Sequence, residues 1–239
     1  MTHFYYLILD LVVGLGPIVL ILAFRQKLTG RMVMAYLISF ITIGSVFIIS
    51  DMILVNNQIW SFNSDFTLGI KLGNLPIEEI LFFLIIPFSC ILIYELIKKT
   101  NVEVKFNYKP TLYLLMILLI ITSYAAEAKI YTSFITILTA LFLGVMLIVN
   151  KNNLASKNFW IYNLICLIPF LIIDLILTFL PIVSYNPAAI LSIRIITIPI
   201  EDICYSFLML SLYLVSYKFW LRLITNSSRI NPPNSGKSD

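Results

Sequence analysis

The stretch Leu75-Pro76-Ile77-Glu78-Glu79-Ile80-Leu81-Phe82-Phe83 decides the fold, because its outline returns 123 positions later as Ile198-Pro199-Ile200-Glu201-Asp202-Ile203-Cys204-Tyr205-Ser206. Moving outward in the same register, Asp51 matches Asp174, Ser61 matches Ser184 and Asn63 matches Asn186, while Phe62 and Lys71 meet Tyr185 and Arg194. Apolar identities carry little weight in a chain this rich in Ile and Leu, but polar and proline matches in one ungapped register do.

The chain has 239 residues, of which 60% are hydrophobic and 12% charged, with a mean hydropathy of +0.98. That composition excludes a soluble globular domain. Apolar stretches near 4–24, 32–54, 75–97, 110–126, 130–149, 159–180 and 198–217 approach the roughly 20 residues a helix needs to cross a bilayer, the fourth being the shortest. The first carries Asp10 and Pro17 internally and no basic leader, so it reads as a mature span.

The same offset lays the first span over the fifth. The expected architecture is an all-α integral membrane protein of seven transmembrane helices, with two parallel three-helix repeats (1–99 and 129–225) joined by a linker helix within 100–128. Residues 226–239 read as a disordered cytoplasmic tail. The connections after spans one, three, five and seven hold thirteen Lys and Arg, against Lys71, Lys129 and Arg194 on the other side. This places the N-terminus outside and the C-terminus in the cytoplasm of a multi-pass cell-membrane protein. The net charge of +4 is scattered between apolar runs and indicates no nucleic-acid partner, and Cys90, Cys166 and Cys204 have no metal-site or disulfide spacing.

Ionisable groups within a bilayer are costly and usually face a cavity or a partner. Pro followed by acids in a first helical turn is an ordinary helix start. Its recurrence, each time 25 positions after an Asp, points instead to a site at the outer ends of the spans. Adjacent helical residues diverge by about 100°, so one acid of each pair should face inward. Phe82 and Phe83 lie one turn after Glu78 and Glu79, and Tyr205 one turn after Glu201. An apolar aromatic pocket holding a protonated carboxyl is the environment that acid chemistry on a hydrocarbon requires.

The segment 75–83, with Ile86-Pro87-Phe88 after it and Trp60-Ser61-Phe62-Asn63 before it, resembles the bacterial heterodimeric-type carotenoid lycopene cyclases, in which two three-span subunits or their fusion each carry a Pro-x-Glu-Glu/Asp signature; fungi use a related domain joined to phytoene synthase. The chain looks like the fused form. The resemblance implies non-redox cyclisation of the end groups of lycopene within the bilayer, beside other carotenoid-biosynthesis enzymes, with no cofactor and no metal. It implies Glu78 and Glu201 as proton donors, Glu79 and Asp202 as their partners or the final bases, and Asp51 and Asp174 as orienting groups. Phe82, Phe83, Tyr205, Trp60, Asn63 and Asn186 become the candidate substrate-binding residues. Cys204-Tyr205-Ser206 departs from the Phe-rich continuation of the first half, so the halves need not be equivalent.

Gly14-Leu15-Gly16-Pro17 sits inside span one and is no dinucleotide fingerprint, so a flavin is not expected. A retinal protein would need a lysine in 198–217, and there is none. The alternative is a proton-coupled transporter using the paired carboxylates. The oligomeric state and the ring type are not set by the sequence.

Overall fold

The computed structural model describes residues 2–105 and 107–230 and is an all-α membrane protein with only short β-ribbons. In chain order the helices are α1 (Tyr5–Ala23), α2 (Gly30–Ser39), α3 (Ser45–Asn56), α4 (Ile77–Thr100), α5 (Lys109–Ala125), α6 (Ile130–Val149), the short α7 (Lys151–Ala155), α8 (Lys157–Phe179) and α9 (Glu201–Ile230). A five-residue π turn, Phe40–Gly44, joins α2 to α3 as one crossing. Among the described residues, six helices are long and apolar enough to span a membrane. Leu11, Leu15 and Leu22 of α1 and Leu114, Leu118 and Ile121 of α5 point outward, as side chains solvated by lipid do. Residues 226–230 continue α9, so helix persists past the expected start of the tail; residues 231–239 lie outside the described residues.

At 17 residues α5 is about 25 Å long, slightly short of a hydrocarbon core. It nevertheless runs the bundle end to end. Tyr108 at its start donates to the Lys151 carbonyl (3.0 Å) just beyond α6, and Ser123 near its end hydrogen-bonds Ser133 at the start of α6. Equivalent helices of the two halves therefore point the same way.

The connections carry the repeat most visibly. After α3 come β1 (Trp60–Phe62), β2 (Lys71–Leu72) and β3 (Leu75–Pro76); after α8 come β4 (Val183–Tyr185), β5 (Arg194–Ile195) and β6 (Ile198–Pro199). Each second-half strand lies 123 positions after its mate. β1 pairs antiparallel with β4 so that Ser61 faces its own counterpart Ser184, which places a pseudo-two-fold axis between them. The flanking bonds obey that axis: Asn63 N–H donates to Ile182 O and Asn186 N–H to Ile59 O, both at 2.9 Å.

Inside the bundle, Pro87 lacks the N–H that would satisfy the Phe83 carbonyl. The buried Tyr213 hydroxyl takes its place at 3.0 Å. Gly44 makes room for that hydroxyl, since a Cβ there would lie 2.6 Å from it.

The repeat also exposes a strained position. Gly73 takes φ +63° in the β2–β3 turn, and its counterpart Ile196 takes φ +60° with a β-branched side chain. Left-handed backbone costs such a residue roughly 1–2 kcal/mol that glycine avoids. Ile196→Gly, at a position 74% exposed, is expected to stabilise the protein by about 1 kcal/mol in a denaturant titration in micelles. An unchanged or lower midpoint would mean that the turn carries no strain.

Candidate active site

The end of α3 delivers Asp51 and the end of α8 delivers Asp174, while the starts of α4 and α9 deliver Glu79 and Asp202. All four are at least nine-tenths buried and line one cavity of about 50 Å³ on the pseudo-two-fold. The β1–β4 ribbon contributes Trp60, Phe62, Val183 and Tyr185 to its lining, while Phe82, Phe170, Tyr131 and Tyr205 furnish aromatic surface around the acids. The two halves thus build a single chamber.

Adjacent helical positions cannot share a face, and the connecting loops decide which acid turns inward. Ile77 N–H bonds Ile70 O and Ile200 N–H bonds Ile193 O, folding each loop back over its helix start. The loop amides then claim the outer acids: Leu68 N–H donates to Glu78 Oε1 (2.6 Å) and Leu191 N–H to Glu201 Oε1 (2.7 Å), the latter also receiving the Thr132 hydroxyl (2.5 Å). Glu78 and Glu201, expected as the proton donors, are thereby drawn toward the loops. They are buried loop anchors outside the chamber lining, and Glu79 and Asp202 hold the inward places.

Within the chamber the acids form two pairs, Asp51 with Glu79 and Asp174 with Asp202, each within hydrogen-bonding reach. A hydrogen bond between two carboxyl groups needs a proton between them. No cation intervenes: among the described residues the only ion pair is Lys98 with Glu95, near the far end of α4.

Tyrosines break the symmetry. In the first pair they are divided, Tyr6 donating to Glu79 (2.5 Å) and Tyr205 to Asp51 (3.0 Å). In the second, Tyr131 donates to Asp202 (2.7 Å) and Tyr185 faces the same carboxyl. Asp174 receives neither, because the counterpart of Tyr205 is Phe82. Its Oδ2, like that of Asp202, has no donor among the described residues. A proton held between these two carboxyls would supply the hydrogen bond that joins them.

Of the expected substrate-binding residues, Phe82, Tyr205 and Trp60 line the chamber. Phe83 does not; it is fully buried in the core against Phe47. Asn63 and Asn186 do not either. Their side-chain oxygens accept from Asp65 N–H and Ala188 N–H, so their recurrence records a turn that needs an Asn.

Sequence reasoning missed Tyr6, Tyr131, Tyr185, Phe170 and Asp10. Tyr6 and Tyr131 do the same work 125 positions apart, so the register slips by two residues between the first helix of each half and the elements that follow, and the offset of 123 does not align them. Asp10, 3% exposed with an unpartnered Oδ2, neighbours Glu78 and Glu79. Its counterpart is Ile135, so the repeat could not point to it; an acid inside an apolar span was the available signal.

The family model described as lycopene cyclase matches the chain twice, over residues 3–97 and 128–220, with starts 125 apart and ends 123 apart, which is the same slip. No curated protein and no solved structure is significantly similar to the chain.

The shared protons are directly observable. Infrared difference spectra in detergent at neutral pH are expected to contain a protonated-carboxyl C=O band that Asp174→Asn removes or shifts. A spectrum unchanged by that substitution would mean that Asp174 carries no proton.

Proposed function

The chain belongs to the lycopene cyclase family, and so to carotenoid biosynthesis, and we propose that its four-carboxyl chamber cyclises the end groups of lycopene by acid–base chemistry without net redox change. Asp174 gives its proton to the terminal double bond. The neighbouring internal double bond attacks the resulting cation and closes a six-membered ring, and the Asp51–Glu79 pair removes a proton to restore a double bond. One proton enters and one leaves, so the product is an isomer and the enzyme an isomerase of the intramolecular-lyase kind.

The observation that carries this reading is the unequal distribution of hydroxyls over the two pairs. Asp202, facing two tyrosines, is suited to remaining as the anion once Asp174 has given up its proton. The first pair, with a tyrosine on each carboxyl and one proton between them, still carries one negative charge and is suited to taking up the proton that leaves. Trp60, Phe82 and Phe170 present π surface to a cation, and the ribbon shields the chamber from water that would capture it.

No cofactor enters this scheme. The N-terminus lies outside and the C-terminus in the cytoplasm, which puts the chamber in the outer part of the cell membrane. A proton-coupled transporter would need a polar path onward through the bundle. On the opposite side of Phe82 from the acids, α4 instead buries Phe83, Ile86, Cys90 and Ile91.

In cells making lycopene, Asp174→Asn is expected to lower cyclic carotene formation by about 10²–10⁴-fold, the usual reach of a general acid. Glu78→Gln and Glu201→Gln keep an acceptor for the loop amides and are expected to stay within a few-fold of the parent. Full activity in Asp174→Asn together with loss in Glu78→Gln would return the donor role to the outer acids.

A further inference from the structure

The chamber, at about 50 Å³, has room for a few waters and not for an isoprenoid end group joined to a long polyene. A larger apolar groove of about 500 Å³ opens sideways between α1 and α8 over α4. Its floor is Ile86, Ser89, Cys90 and Ile93, and on α4 these continue the row that begins with the chamber residues Glu79 and Phe82 at helical spacing. On α8, Pro169 and Ile173 of the groove adjoin Phe170 and Asp174 of the chamber. Phe82 and Phe170 line the chamber one turn from Ile86 and beside Pro169 of the groove, and they pack edge to face with centroids 6.1 Å apart.

We propose that this groove seats the polyene of the linear carotenoid, with the end group passing Phe82 and Phe170 to reach the acids. The inference rests on the cyclase reading and adds the route. The occupant must be an apolar chain, since the groove wall is apolar apart from Ser89 and Cys90, and it must continue to a reactive end, since the groove ends on the chamber. The stretch of α1 from Val12 to Leu20 alone provides about 12 Å of wall. Entry is one-sided. The counterparts of Ile86, Ser89 and Cys90 are Met209, Leu212 and Tyr213, and the counterpart of Gly16 is Leu141, so the second half carries bulkier side chains where the first leaves space. Phe82 and Phe170 are then positioning residues that must part for the end group. A second apolar groove, which includes Leu115 and Phe207, follows a face of α9 that the chamber does not share.

Gly16 offers a clean test, because a Cβ there meets no atom within 4 Å and a larger side chain projects into the groove without forcing the backbone. The full-length protein is reconstituted in phospholipid vesicles, and cyclisation of lycopene is followed together with that of a truncated analogue bearing only the acyclic end group. For Gly16→Phe the apparent KM for lycopene, as mole fraction in the vesicle, is expected to rise about tenfold or more, with the truncated analogue processed as by the parent. Leu141→Phe and Leu115→Trp should leave both substrates unaffected. An unaffected Gly16→Phe, equal loss of both substrates, or a selective loss of lycopene turnover in Leu115→Trp would each overturn the proposed seat. Failure of the unsubstituted protein to cyclise lycopene would instead bring down the cyclase reading itself.

Discussion

Seven carboxyl groups, Asp10, Asp51, Glu78, Glu79, Asp174, Glu201 and Asp202, are buried near one end of an apolar bundle, and none of them forms an ion pair among the described residues. That constraint shapes everything around them. An uncompensated charge in such surroundings costs far more than any one contact returns. The chain meets it in two ways. Glu78 and Glu201 each accept one loop amide, Glu201 also the Thr132 hydroxyl, and the inward acids are set against one another, where a shared proton can stand in for the missing cation. The loops, the ribbon roof and the tyrosines are arranged to serve these ends.

The duplicated framework makes the arrangement economical, and its departures from symmetry make it directional. A two-fold between Ser61 and Ser184 brings both carboxyl pairs to one chamber, which neither half could build alone. Exchanging Tyr205 for Phe82, and Phe62 for Tyr185, moves hydroxyls from one carboxyl to another while leaving the backbone frame intact. A perfectly symmetric chamber would hold two identical pairs with no reason for a proton to enter from one and leave by the other. Under the proposed mechanism the asymmetry makes one pair the donor and the other the acceptor within one chamber.

Much of the fold was legible because polar residues stand out in so apolar a chain. Asp51 with Asp174, and the two Pro-Ile-Glu segments, announce the repeat, and helix length follows from the bilayer. The inward acids were less legible, since adjacent positions such as Glu78 and Glu79 differ only by a rotation that the folded-back loop decides. Asn63 and Asn186 repeat because a turn requires them, and repetition alone does not distinguish that need from chemistry. Tyr6 and Tyr131 were hidden by the two-residue slip, and Asp10 by having no counterpart. The slot for Tyr213 beside Gly44 and the freed Phe83 carbonyl depends on packing between distant helices, for which no local pattern exists.

The claim that a buried carboxyl starts ring closure by giving up a proton meets its most direct test in isotope transfer. Protein equilibrated in heavy water is supplied with unlabelled lycopene in vesicles, and the product is weighed by mass spectrometry. The account requires one solvent-derived deuterium for each ring closed. Rings formed at the normal rate with no deuterium would contradict it.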